Sequence, residues 1–209
     1  MFTGTISVIY GPMFSGKTSE LMRLVKRFTI SERKCVVLNY ANDNRYSDDQ
    51  CISSHDKQYL KAIKVTKLFD AFEKCKDYDV VAIDEGQFFS DIVEFSEAMA
   101  NLGKIVIVAA LDGTFDRKPF RNILSLIPLA ERITKLTAVC WFCKKENASF
   151  TKRTIQSQEI ELIGGEDCYK PACRACFNLT ENQFIKHTLP QIPIYSTDER
   201  LFGQQNLIC

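Results

Sequence analysis

The residues Gly11-Pro12-Met13-Phe14-Ser15-Gly16-Lys17-Thr18 follow a run of buried-strand character, Thr5-Ile6-Ser7-Val8-Ile9-Tyr10. They precede Leu21, Leu24, Val25 and Phe28, which share one face at helical spacing. A strand that turns at once into a helix through two glycines is compatible with few folds. The octapeptide fits the pattern G-x-x-x-x-G-K-[ST], whose glycines let successive amide N–H groups converge on phosphate oxygens at the positive end of the helix. In that reading Gly11, Pro12, Met13, Phe14, Ser15 and Gly16 cradle the phosphates of ATP. Lys17 reaches the outer phosphates, and the Thr18 hydroxyl ligates Mg²⁺.

Further apolar runs at 34–39, 62–65, 79–83, 104–110 and 133–139 read as strands. Helical patterns at 68–74, 91–102 and 122–131, the last interrupted by Pro128, fall between them. Strands alternating with helices predict an α/β fold with a parallel sheet. The polar stretch 42–49 reads as a surface loop. Composition changes at Cys140, which predicts an α/β domain over 1–139 and a cysteine-bearing lobe over 140–189. The segment 190–209, with Pro190, Pro193 and many Gln and Asn, is expected to be disordered.

A chain of 209 residues that is 45% apolar can bury a full core. It shows no run long enough to span a membrane, and a core strand starts almost at the N-terminus, so a cytosolic protein is expected. A net charge of +1, from 27 basic and 26 acidic residues, provides no global field for a polyanion, and nucleic acid is not an expected partner.

Two further features carry chemistry. The strand Val80-Val81-Ala82-Ile83 ends in Asp84 and Glu85. Asp84 is placed to hold Mg²⁺ beside a bound triphosphate, and Glu85 to accept a proton from an attacking hydroxyl, although an acid there could also simply form the turn before Gly86. Cys140-Trp141-Phe142-Cys143 and Cys173-Arg174-Ala175-Cys176 form a CxxC…CxxC set suited to a closed, structural Cys₄ zinc site. Between the pairs an alternating strand runs from Glu159 to Gly165, so the metal would tie the base of a loop able to act as a lid. Cys35, Cys51, Cys75, Cys168 and Cys209 lack ligand spacing, and His55 and His187 read as loop residues.

The blocks GPMFSGKT, DEGQFF (84–89), LDGTFDRKPF (111–120), the two CxxC pairs and EIELIGGEDCY (159–169) together resemble the type II thymidine kinases, from about Gly4 to Phe177. The resemblance implies a RecA-like P-loop sheet with a small zinc lobe carrying a substrate lasso. It implies transfer of the ATP γ-phosphoryl group to the 5′-hydroxyl of deoxythymidine, with Glu85 as general base. It places Met13, Phe88, Leu111, Phe115, Phe120, Thr151 and Tyr169 around the nucleoside, and the lasso backbone of Ile160, Glu161, Leu162, Ile163 and Gly164 on the pyrimidine. Arg45 matches a phosphate-side arginine. The resemblance further implies a homotetramer, some acceptance of deoxyuridine, and feedback inhibition by dTTP. Asp116, where many relatives have Gln, is a departure that touches the pocket rim.

From the residues alone, Phe88, Phe115 and Phe120 read as ordinary core aromatics. A different class of protein is also compatible with the motifs: a P-loop ATPase whose zinc lobe docks a partner. Against it, the loop between the cysteine pairs carries Glu159, Glu161, Glu166 and Asp167 rather than a basic stripe.

Overall fold

The computed structural model describes residues 4–41, 51–53, 59–154 and 168–179. In chain order the strands and α-helices are β1 (Thr5–Gly11), α1 (Lys17–Ile30), β2 (Cys35–Tyr40), β3 (Cys51–Ser53), β4 (Tyr59–Lys61), β5 (Ile63–Val65), α2 (Phe72–Cys75), β6 (Val80–Ile83), α3 (Ile92–Asn101), β7 (Ile105–Leu111), α4 (Arg121–Leu126), β8 (Arg132–Lys135), β9 (Ala138–Val139), β10 (Asn147–Ala148), β11 (Phe150–Arg153), β12 (Tyr169–Ala172) and α5 (Arg174–Asn178). Six strands form a sheet in the order β5-β2-β6-β7-β1-β8, and all its pairings are parallel. Three two-stranded antiparallel ladders, β3 with β4, β9 with β10 and β11 with β12, stand apart from it.

The apolar runs divide by strand parity. Ile6, Val8, Val36, Leu38, Val81, Ile83, Val106, Val108 and Ala110 point to one face, where Ile92, Phe95 and Met99 of α3 cover them. Ile9, Val37, Val80, Ala82, Ile107 and Ala109 point to the other, under Leu21, Met22 and Val25 of α1. Burial on both faces explains why β6 and β7 are apolar throughout rather than alternating. It also explains the parallel order, since each crossover helix must return over one face.

The order inserts β7 between β1 and β6, which is the RecA-like arrangement. The loop after β1 and the acids after β6 therefore open at the same carboxyl edge, one strand apart. Among the described residues no helix is long and apolar enough to cross a membrane.

Two elements differ from expectation. The run 133–139 is not one core strand: β8 is an edge strand with Ile133 exposed, and after a break the chain enters β9, which pairs with β10 of the cysteine lobe. The pattern Ile133, Leu136, Ala138 gives no alternation that would have marked the break. The helix expected over 68–74 begins as a 3₁₀ turn, Leu68–Ala71, before α2, which is too short to show an amphipathic period.

Phe95 is fully buried between α3 and the sheet and meets Phe69 and Phe72 edge-on. Phe95→Ala is expected to cost about 3–5 kcal/mol in denaturant unfolding, whereas Leu124→Ala, on the exposed face of α4, should change stability by less than about 0.5 kcal/mol.

Candidate active site

The loop after β1 folds back on itself. Ser15 Oγ and Lys17 Nζ both donate to the Pro12 carbonyl oxygen at 2.8 Å, which brings the ammonium over the mouth of the loop. Gly16 has φ 81°, a left-handed conformation that suits glycine, and it caps α1 without a side-chain acceptor. The first-turn N–H groups of a 14-residue helix are thus not taken up by a capping side chain, which is the arrangement that favours an anion. Phe14 also has positive φ, 64°, an unusual state for a bulky residue.

Two contacts hold that strained loop from outside. The Met13 N–H donates to Thr151 Oγ1 of β11 at 3.0 Å, and Phe14 packs against the cluster of Ala138, Cys140, Ala148, Cys173 and Cys176. Phe14, expected along the phosphate cradle, therefore turns its ring toward the cysteine lobe. Thr151, expected beside the nucleoside, is buried and occupied with the loop backbone.

Across β7, Thr18 Oγ1 donates to the Asp84 carboxylate, 3.1 Å to Oδ2 and 3.3 Å to Oδ1. Burial, reinforced by the neighbouring Glu85 charge, pushes the Asp84 carboxyl up to about 7, against the opposing pull of the Thr18 hydroxyl and Lys17. A half-buried hydroxyl and a buried carboxylate in contact, with an ammonium nearby, form a hard-oxygen pair suited to Mg²⁺. Glu85 stands at φ 53°, so the chain twists out of β6 in a left-handed step. Gly86 follows with no room for a side chain, since a Cβ would lie 2.7 Å from Val108 Cγ1. The turn is thereby pressed onto β7 and projects Glu85 at the sheet edge.

The four Sγ atoms of Cys140, Cys143, Cys173 and Cys176 all lie within 4.8 Å of one another, and Cys143 and Cys173 are 4.0 Å apart. Tetrahedral zinc with Zn–S near 2.3 Å requires S···S of about 3.8 Å, so the set fits that ion. The donors are also prepared for it. Burial raises the Cys140 thiol, but the backbone N–H groups of Cys143, Cys173 and Phe142 outweigh it and bring the thiol down to about 7. Burial and the neighbouring sulfurs push Cys176 upward. Four sulfur donors crowded this closely are a set that a divalent cation can bridge. Cys168 is outside the set; its carbonyl accepts from Thr154 N–H.

The remaining expected residues have the following neighbours. Leu111 ends β7, and its N–H donates to Gln87 Oε1 at 3.0 Å. Phe88 stacks on Tyr40 with ring centroids 5.3 Å apart. Phe115 lies under the Arg153 guanidinium, 3.8 Å from ring centroid to Cζ, and Arg153 also donates to the Tyr169 hydroxyl at 2.7 Å. Phe120 packs into the α3 side of the core. Arg45 and residues 160–164 lie outside the described residues.

Sequence reading missed Gln87, Arg153, Tyr40 and Asn122. Only the position of Gln87, two residues after Glu85, offered a signal. Asp116 forms a turn: the Lys118 ammonium and then the Thr114 hydroxyl hold its carboxyl down to about 2.

Because the folded Asp84 carboxyl binds its proton more tightly than an unfolded one, ligand-free stability falls as pH rises from about 4 through 7. Asp84→Asn removes that cost. It should raise ligand-free stability by on the order of 2–4 kcal/mol at pH 8 and by little near pH 4, read from thermal melts at both pH values.

A family model described as thymidine kinase matches residues 4–177. The thymidine kinase of vaccinia virus (strain Ankara) is 59% identical over 174 residues, covering 83% of this chain and 97% of the viral protein. The thymidine kinase of monkeypox virus shows the same identity and coverage. Thymidine kinase 1 of Dictyostelium discoideum is 52% identical over 183 residues, 86% of this chain and 80% of the relative. With its phosphate loop and paired acids at one sheet edge and its cysteine lobe leaning on that loop, this chain belongs to the thymidine kinase family.

Proposed function

We infer that this protein transfers the γ-phosphoryl group of ATP to the 5′-hydroxyl of deoxythymidine, giving dTMP for DNA synthesis. The observation that carries the reading is the meeting of Lys17, Thr18, Asp84 and Glu85 at the carboxyl edge of β1 and β6, in a chain of this family. A loose phosphoryl-transfer transition state needs alignment and charge neutralisation more than covalent help. The loop amides and the start of α1 bind the phosphates, and Lys17 leaves the Pro12 carbonyl to meet the γ-phosphate. Thr18 and Asp84 would hold Mg²⁺, which when bound would supply positive charge to the transferred group. Glu85 accepts the 5′-hydroxyl proton as the oxygen attacks phosphorus.

Met13, Phe88, Leu111, Phe115, Phe120, Thr151 and Tyr169 surround the nucleoside, directly or through the contacts described above. The backbone of 160–164 reads the pyrimidine, Arg45 serves the phosphate side, and a pocket of this kind excludes purines by size. Cys140, Cys143, Cys173 and Cys176 would hold a structural zinc that ties the two ends of the intervening segment, and Phe14 and Met13 link this cluster and β11 to the phosphate loop. The same reading carries deoxyuridine as a second substrate, dTTP as an end-product inhibitor, a cytosolic homotetramer and no nucleic-acid partner.

ATP consumption should require deoxythymidine. Consumption without nucleoside, or stimulation by single-stranded DNA in its place, would establish the ATPase alternative instead. Glu85→Gln should retain nucleotide binding and lose turnover by about 100-fold or more, and an unchanged rate removes Glu85 from the base role. Cys173→Ser should lose zinc by elemental analysis and bind deoxythymidine more weakly by calorimetry; retained zinc or unchanged affinity contradicts the proposed role of the lobe.

A further inference from the structure

We propose that Gln87 is a positioning residue for the phosphoryl transfer, holding the Glu85 carboxylate against the end of β7 through a side-chain amide whose orientation is fixed at both ends. Gln87 is buried, only 6% exposed, although its side chain is fully polar. Its Nε2 donates to Glu85 Oε2 at 2.5 Å, and its Oε1 accepts the Leu111 N–H at 3.0 Å. Neither end can be reversed. A backbone N–H only donates, so the atom facing Leu111 is the oxygen, which leaves the nitrogen to face Glu85.

The support extends one layer further. Asn122 Nδ2, at the start of α4, donates to the backbone carbonyls of Gln87 at 2.9 Å and Phe89 at 3.0 Å. The short turn that carries Gln87 is therefore pinned to α4 on one side and, through Gly86, pressed onto Val108 of β7 on the other. Burying a primary amide is costly unless it is fully engaged, and here both of its ends are engaged by groups of the site.

The consequence is directional. A glutamate on a left-handed turn at a sheet edge has three side-chain torsions to settle, and a charge-assisted hydrogen bond to one carboxylate oxygen settles them. The direction from which Glu85 takes a proton is then set relative to Leu111, a residue of the proposed nucleoside pocket. The side-chain amide of Gln87 is engaged by Glu85 and Leu111, so the effect assigned to it passes through Glu85.

The inference rests on Glu85 being the proton acceptor, and the experiment keeps the two apart. Gln87→Met preserves length and burial but removes both hydrogen bonds. Gln87→Glu keeps an acceptor for Leu111 and replaces the permanent amide donor with a carboxyl group whose only donor is a proton shared with Glu85, which takes Glu85 out of the base role while it is shared. Each is measured alone and combined with Glu85→Gln, with kcat from initial rates and dissociation constants for deoxythymidine and a non-hydrolysable ATP analogue from calorimetry.

Each single Gln87 variant should lower kcat by about 10–100-fold while both dissociation constants stay within about twofold. On the Glu85→Gln background the same changes should alter the residual kcat by less than about twofold, because the group they position has already gone. If the Gln87 effect multiplies fully with that of Glu85→Gln, or appears as weakened binding with kcat unchanged, Gln87 is only a structural support of the pocket. Should Gln87→Met fail to fold, Gln87→Glu alone decides the matter, and full kcat in that variant overturns the proposal. A normal loss on Glu85→Gln with an additive Gln87 effect sinks this inference and leaves the functional reading intact.

Discussion

The hydrogen bond between Thr18 and Asp84 joins the two halves of the site, and the sheet order makes it possible. Thr18 opens α1 after β1, Asp84 leaves β6, and β7 stands between them. Parallel strands bring every carboxyl end to one edge, so residues far apart in sequence meet without any long excursion of the chain. The cost is an acid buried where water cannot solvate it. Asp84 carries that cost as a raised pKa in the ligand-free protein, and a bound cation would relieve it. Stability is lowered at the position where function needs a charge, a common trade at active sites.

The cysteine cluster also supports the loop after β1. Phe14, in a left-handed conformation, rests on the cluster formed by Cys140, Cys173 and Cys176, while Met13 is tied to Thr151. The phosphate loop is therefore held between its own strand and helix on one side and a metal-compatible knot on the other. Strain in a loop persists only when its surroundings over-determine it, and these two contacts supply that support.

Much of this was legible in the sequence because it follows from local patterns. The two-face-buried strands β6 and β7, helix α3 and the strand-loop-helix at 5–30 emerge from periodicity, and the Cys₄ set from spacing alone. What stayed hidden depends on tertiary placement. No pattern says that the Phe14 ring packs on the cysteine cluster, that Phe120 packs against the core, or that Thr151 accepts from the loop backbone. The split of 133–139 was missed because an edge strand and a short ladder share the composition of one continuous strand. Gln87 was quoted inside a recognisable block yet gained no role, because a glutamine shows its worth only once both of its hydrogen-bond partners are placed.

The most direct measurement is a crystal structure of the protein with deoxythymidine, Mg²⁺ and a non-hydrolysable ATP analogue. A Glu85 carboxylate oxygen should lie about 2.6–3.2 Å from the nucleoside 5′-oxygen, with that oxygen in line with the γ-phosphorus. A nucleoside bound with its 5′-oxygen out of reach of Glu85, or a terminal phosphate held away from Lys17 and Thr18, would contradict the mechanism.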